Sequence, residues 1–518
     1  MTEIAPIFFN CESGSQSRSA FDRAVARIAS GLQTLGLVEG DTVALLMRND
    51  APMAQAMAAA DLAGIYAVPL NWHGKSEEIG YVLQDCGARV LIAHDDLLAL
   101  VDADLLDKLQ VIAVPTPKEI AVRHGVEPAA ADALAAGHIG WQSWLDAQQD
   151  AARPTTKPRG VIMYTSGTTG KPKGVQREPY ADLAAFRQNL GTLHHAFGTQ
   201  PGMHAAILGP LYHGGPTAYW RACYAATAKE GMVVVRSKFD PIELLQLIQD
   251  YRISHLFMVP TMFIRLLKLP PEVRARYDVS SVRHIIHTAA PCPVAVKTAM
   301  CEWMGDVIYE FYGASETGPV TVATPQDARE RPGTVGHPQS TVRMQILDAD
   351  GLVLPAGEIG EICCRNDTYP DFTYRNRHAD RAALDRHGLV ATGDMGYLDE
   401  DGYLFVCDRV KDMVISGGVN IYPAEIEAAL IDIAGIQDCA VFGIPHEEYG
   451  EALAAHVQLT PGAALTAEEI SATLLARLTK FKVPSVIRFE TQMPRQDNGK
   501  IYKRRLSEPY WAGHGRRI

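Results

Sequence analysis

The stretch Tyr164-Thr-Ser-Gly-Thr-Thr-Gly-Lys-Pro-Lys-Gly174 concentrates three glycines, three threonines, one serine and two lysines behind a short apolar run, Val161-Ile162-Met163-Tyr164. Glycines let the backbone turn tightly and approach a ligand with no Cβ in the way. Consecutive N–H groups, hydroxyls and ammonium groups can then converge on one anion, which is what a polyphosphate tail requires. The order is not that of a Walker A loop, because Lys171 is followed by Pro172 where Ser or Thr is needed. A flexible surface linker would share the Gly, Ser and Thr content, but not two lysines set behind a buried strand.

Six further stretches carry chemistry. In Gly209-Pro-Leu-Tyr212-His213-Gly-Gly-Pro216, the residues Tyr212 and His213 follow an apolar run. That places them in a loop over a strand's C-terminal edge, where α/β proteins bind ligands. The loop Thr288-Ala289-Ala290-Pro291 offers backbone against which a flat ring can lie. Phe311-Tyr312-Gly313-Ala314-Ser315-Glu316-Thr317-Gly318 sets an aromatic ring, a hydroxyl and a carboxylate close together. These suit a base, a phosphate and a divalent cation respectively. Thr392-Gly393-Asp394 holds one acid after a tight turn, a natural acceptor for two ribose hydroxyls. Asp408-Arg409-Val410-Lys411-Asp412 leads into Ser416-Gly417-Gly418, and Pro494-Arg-Gln-Asp-Asn-Gly499-Lys500-Ile501 closes the series. Alone, each of the last two would pass for a polar linker or a solvated turn.

Together and in this order, these stretches resemble the adenylate-forming superfamily of acyl-CoA synthetases, adenylation domains and luciferases. The resemblance covers nearly the whole chain. It implies an ATP-dependent acid–thiol ligase that forms an acyl-AMP with release of pyrophosphate, then an acyl-CoA and AMP. Carried over residue by residue, Thr165, Ser166, Gly167, Thr168, Thr169, Gly170 and Lys173 grip the ATP phosphates. Ala289, Ala290 and Pro291 wall the adenine, with Tyr312, Gly313 and Ala314, while Ser315 reaches the α-phosphate. Glu316 holds Mg²⁺, Asp394 binds the ribose and Arg409 a ribose or phosphate oxygen. Lys411 is the hinge, Ser416, Gly417 and Gly418 line the tunnel for the CoA arm, and Lys500 bridges the acid's carboxylate and the adenylate. Tyr212, His213 and Trp220 border the acyl pocket, with His213 also on the route of the thiol. His287-Thr288 stands where glycines or serines are usual, and Arg177 has no counterpart role.

The acid itself stays open between an aromatic one and a medium-chain, long-chain or polycyclic aliphatic one, pointing to aromatic or fatty acid metabolism. Gly214 and Gly215 favour bulk. An enzyme loading a separate carrier protein shares every motif. A non-catalytic nucleotide-binding relative would be expected to lack Glu316 or Lys500, and a luciferase-like oxygenase has no positive feature here.

The elements around these stretches must hold them. At 518 residues the chain implies several cores. Apolar residues at 47% and charged ones at 21% are those of a globular protein, and a net charge of −12 argues against nucleic acid. Nine scattered cysteines without a Cys-x-x-Cys pair disfavour disulfides and zinc and fit a reducing compartment. The first residues lack a basic and an apolar region, and the apolar segment 51–70 is broken by Gln55, Asp61, Gly64 and Pro69. The expectation is therefore a cytoplasmic monomer or homodimer without a membrane span.

From residue 18 to 95, helical periodicity alternates with continuous apolar runs, as in a parallel two-sided sheet. The pattern resumes at 205–208, 232–235 and 256–259, with Asp240 capping a helix opened by Pro241. Residues 96–158 read as an extra helix or loop region. From about 333, short strands with Gly and Asp turns imply a small antiparallel sheet or barrel. After Asp412 follows a compact α+β unit with a capping box, Thr466-x-x-Glu469, and residues 511–518 read as a frayed tail. The expected organisation is a large α/β domain, 1–408, with two doubly wound sheets and a β-barrel-like subdomain. A hinge at 409–412 would join it to a small mobile α+β domain, 413–518.

Overall fold

The structure, a computed structural model, describes residues 7–127, 137–150, 154–165, 172–409, 412–416, 419–495 and 500–512. Two sheets dominate it. The larger has nine strands, in the order His337–Pro338, Gly318–Ala323, Ile308–Ala314, His284–His287, His255–Met258, His204–Ile207, Met232–Val235, Ile7–Cys11 and Gly14–Ser17. Its centre is parallel and its edges antiparallel. The second has five parallel strands, ordered Tyr66–Pro69, Thr42–Leu46, Val90–His94, Gln110–Val114 and Ile139–Gly140.

The layers follow from the burial pattern. Helices Arg18–Thr34, Ala51–Ala63 and Gly214–Ala226 fill the space between the sheets, packing Phe21, Ile28 and Trp220 against Val43, Leu45, Ile207 and Val233. Helices Pro241–Tyr251, Pro260–Leu267 and Val294–Met304 cover the outer face of the large sheet. Helix Ser76–Cys86 covers that of the small one, with Ile79, Val82, Leu83 and Cys86 inward. Strands buried on both faces read as unbroken apolar runs. Helix signals held: Asp240 accepts from the N–H groups of Ile242 and Glu243, and Thr466 with Glu469 forms the reciprocal box.

Two readings change and a third gains its place. Residues 96–158 are more than an extra helix or loop region, because Gln110–Val114 is the fourth strand of the small sheet. The strand expected at 161–164 forms over Met163–Thr165, in a three-stranded antiparallel sheet with Lys173–Arg177 and Phe372–Tyr374. Trp511 is no frayed residue, since it ends helix Lys503–Trp511 and its indole donates to Gly443 O at 3.0 Å. The antiparallel unit expected after 333 is a five-stranded sheet containing Val342–Leu347, Gly360–Asn366 and Leu389–Leu398. The C-terminal unit packs strands Ile436–His446 and Gly450–Leu459 against helices Pro423–Ile431 and Ala467–Leu475.

Candidate active site

Strands Met163–Thr165 and Lys173–Arg177 pair with Tyr164 opposite Gly174 and Thr165 opposite Lys173, so the two ends of the phosphate stretch lie side by side. Glycine is required at 174, where a Cβ would stand 2.7 Å from the Tyr164 ring. The Tyr164 hydroxyl donates to Asp85 Oδ2 at 2.6 Å, anchoring this hairpin to the last turn of helix Ser76–Cys86. Lys173 Nζ lies 2.8 Å from Asp380 and 5.1 Å from the centre of the Tyr374 ring. Its hydrogen bond holds the Asp380 carboxyl below the usual range. Ser166, Gly167, Thr168, Thr169 and Gly170 lie outside the described residues.

The turn that carries Ser315 and Glu316 is fastened to the same three-stranded sheet. Tyr374 Oη donates to Glu316 Oε1 at 2.9 Å, and burial together with that carboxylate pushes the phenol's pKa up. Arg177 lies on the face of its strand that Lys173 shares. One terminal nitrogen donates to the carbonyls of Ser315, at 2.7 Å, and Glu316, at 2.8 Å. The other donates to Pro370 O at 3.1 Å, and the Tyr369 ring centre lies 4.6 Å from the guanidinium. Desolvation pulls the guanidinium's pKa down, as expected of a half-buried cation whose donors are taken up by carbonyls.

Tyr312, Asp394 and Arg409 form a second group. The Tyr312 hydroxyl donates to Asp394 Oδ2 at 2.7 Å, and Arg409 Nε stands 3.6 Å from Asp394 Oδ1. Asp394 and Arg409 are direct partners in adjacent strands. Burial, then the Asp394 charge, lifts the Tyr312 phenol well above its ordinary pKa, so it remains a donor.

Tyr212 and His213 precede helix Gly214–Ala226, with His213 as its N-cap and the two rings 4.6 Å apart. A residue absent from the sequence reading fixes this loop. Asn49 is buried, donates to Gly209 O at 2.8 Å and Arg236 O at 3.0 Å, and accepts from Leu211 N at 2.8 Å. No local signal distinguishes Asn49, because its partners lie 160 and more residues away.

Two expectations for the acyl pocket are corrected here. Trp220 is taken up by the core, its ring 5.7 Å from Phe9, 5.8 Å from Phe21 and 5.5 Å from Tyr224. The space beside the two glycines is already claimed: a Cβ on Gly214 would meet Ser315 Oγ at 3.3 Å and one on Gly215 the Phe257 ring at 2.6 Å. The glycines thus allow close packing of this loop on the Ser315 turn, and they are no argument for a bulky acid.

In the 288–291 loop, Ala289 adopts φ 81°, the left-handed conformation for which glycine is the ordinary residue. Below it, His287 is fully buried with Phe263 edge-on at 5.2 Å, and its Nε2 stands 3.6 Å from Glu310, which also pairs with Lys297. Burial holds His287 neutral, with a pKa lowered to about 4.

Lys500 and Ser416 belong to the C-terminal unit. Ser416 ends strand Val414–Ser416, opposite Gly450, and Lys500 is half-buried beside the bridge between Arg495 and Ile501. Lys411, Gly417 and Gly418 lie outside the described residues. Where the units meet, Asp408 accepts from Ala424 N at 2.9 Å, and the half-buried Lys503 ammonium pairs with Glu427 at 2.8 Å.

No group of three or more His, Cys, Asp or Glu that could enclose a metal occurs among the described residues. A lone carboxylate such as Glu316, one oxygen of which is engaged by Tyr374, suits the cation that retains waters and shares a triphosphate. The donor set therefore fits Mg²⁺ arriving with ATP.

The profile of the AMP-binding enzymes matches residues 4–369, and that of their C-terminal domain matches residues 425–500. The chain belongs to the AMP-binding enzyme family. It is an ATP-dependent, adenylate-forming acid–thiol ligase of the acyl-CoA synthetase type. Among its relatives, the fatty acid–[acyl-carrier-protein] ligase ScoC of Streptomyces coeruleorubidus is 30% identical, the alignment covering 98% of this chain and 94% of the relative. The feruloyl-CoA synthase of an Amycolatopsis species is 32% identical over 93% of this chain and 91% of its own. The crystal structure of ATP-bound MatB from Rhodopseudomonas palustris superposes with a TM-score of 0.84, at 26% identity, covering 99% of this chain and 98% of that one. This family member carries no helix long and apolar enough to cross a membrane among its described residues.

Proposed function

We propose that the thiol is coenzyme A and that the residues assembled above divide the two half-reactions between the units. In the first, a carboxylate oxygen attacks the α-phosphorus of ATP and the bond to pyrophosphate breaks. A carboxylate is already ionised at pH 7, so no general base is needed. Positioning and cations then do the catalytic work. Residues 165–170 and Lys173 grip the departing phosphates, Asp394 and Arg409 hold the ribose side, and Ala289, Ala290, Pro291, Tyr312, Gly313 and Ala314 wall the base. Ser315 meets the α-phosphate, and Lys500 meets the charge that develops between acid and phosphorus. Mg²⁺, when bound at Glu316, neutralises phosphate charge.

In the second half-reaction the thiol attacks the acyl carbon and the bond to AMP breaks. Residues 409–412 act as the hinge between units 1–408 and 413–518, with Lys411 at the pivot. Ser416, Gly417 and Gly418 face the site in this step, and Tyr212 and His213 border the acid and the thiol's path. Support comes from the joining of Tyr312, Asp394 and Arg409 through one hydrogen bond and one ion pair, which brings the 311–318 motif to the 392–394 motif.

Relatives named for ferulate and for fatty acids keep both acid classes, aromatic and long aliphatic, in view. A carrier protein as acceptor is the second reading, favoured by the relative named for that acceptor. One experiment tests both: pyrophosphate release over a panel of carboxylic acids, with CoA or a phosphopantetheinylated carrier protein as acceptor. The expected outcome is release that depends on one acid class and yields its CoA thioester. Thioester on the carrier alone would establish the second reading, and release without any thioester would refute both.

A further inference from the structure

Arg177 is the residue of the phosphate hairpin that the resemblance leaves without a role. Its setting is specific. The guanidinium bridges two consecutive carbonyls, Ser315 O and Glu316 O, across 138 residues of chain, and its other arm reaches Pro370 O. A planar fork of donors matches such an arrangement of acceptors, whereas a lysine ammonium does not. The carbonyls lie in the turn whose side chains are Ser315 and Glu316. The Glu316 carboxylate is held from the other end by Tyr374, which lies in the strand Phe372–Tyr374 paired with Lys173–Arg177. Lys173 stands over that same Tyr374 ring, so one two-stranded ribbon positions a phosphate-gripping cation, a hydroxyl on Glu316 and a guanidinium under its backbone.

We propose that Arg177 is a positioning residue for the Glu316 turn, locking the magnesium-holding carboxylate in register with the phosphate hairpin. The inference rests on the reading of Glu316 given above. Arg177 itself touches neither phosphate nor cation, because its arms are committed to the three carbonyls and its face to Tyr369. Removing it frees the backbone of the turn, and Glu316 then samples positions from which a cation bound to ATP is no longer met.

The test is ATP binding by calorimetry on the full-length protein, with Mg²⁺ and with EDTA, which requires no turnover and no knowledge of the acid. In Arg177→Met, the strengthening of ATP binding by Mg²⁺ should fall by about tenfold, while affinity in EDTA changes by less than about twofold. Arg177→Lys, which keeps the charge but not the fork, should recover only part of the loss. Tyr374→Phe, which leaves the arginine and the strand pairing intact and removes only the hydroxyl on Glu316, should shift the same quantity in the same direction. It also serves if Arg177→Met does not fold. Equal weakening with and without Mg²⁺, or an unchanged Mg²⁺ increment in both Arg177→Met and Tyr374→Phe, would overturn the proposal. A wild-type protein whose ATP affinity ignores Mg²⁺ would overturn it together with the reading of Glu316, a result distinct from the other two.

Discussion

Ala289 pays a conformational cost that its neighbours do not. At φ 81° its Cβ crowds the following carbonyl, a penalty of about 1 kcal/mol for a residue other than glycine. Ala289→Gly should therefore raise stability by about 1 kcal/mol, read as a higher midpoint in urea, with nucleotide binding retained. A lower midpoint would mean that the methyl group makes contacts worth more than the strain. At this scale the sequence was informative where a residue's chemistry is set by its neighbours in the chain. Tyr312, Ser315, Glu316 and Asp394 stand in compact motifs, and the structure joins Tyr312 to Asp394. Arg177 and Asn49 were not legible, since each acquires its role from carbonyls more than a hundred residues away. Trp220 was misread for the converse reason: nearness to the His213 motif on one helix says nothing of which face it occupies, and its face is the core.

Strands of the large sheet carry a row of wholly or partly buried histidines that must stay neutral. Desolvation lowers His255 to about 4, His284 to about 3 and His287 to about 4. His284 stacks on Tyr309 at 4.0 Å and His255 lies parallel at 5.9 Å, an arrangement that a second positive charge would strain. A group whose folded pKa lies below its unfolded value of 6.5 binds fewer protons folded than unfolded. Stability is then greatest above pH 6.5 and falls as the pH drops towards 4. The melting temperature, followed between pH 7.5 and 4.5, should decline steadily below 6.5, and a flat profile over that interval would contradict this account. Elements with end signals were legible from sequence, such as the helix from Pro241 with its Asp240 cap. The strand Gln110–Val114 was not, because an apolar run of four residues among alanines and aspartates has no period to set it apart, even with Pro115 and Pro117 behind it.

The whole molecule consists of a large α/β body holding Tyr312, Glu316, Asp394 and Arg409, and a smaller α+β unit carrying Lys500. Strands 389–398 and 404–409 bring Asp394 and Arg409, the last of the body's proposed ribose contacts, to the edge where the chain crosses into the second unit. A site split between two bodies can serve two half-reactions in turn, and their relative motion can limit turnover. The order of the motifs made this division legible, since Lys500 lies beyond the point where the α/β texture ends. The fit of the two units was not, because it rests on tertiary contacts such as Asp408 with Ala424 N. The most direct measurement compares the half-reactions in Lys500→Ala: acid-dependent ATP–pyrophosphate exchange against thioester formation from supplied acyl-AMP. The expected result is loss of exchange by about a hundredfold or more with thioester formation largely retained. Equal loss of both steps, or exchange that survives the substitution, would contradict the assignment of adenylation to Lys500 and of two chemistries to one shared site.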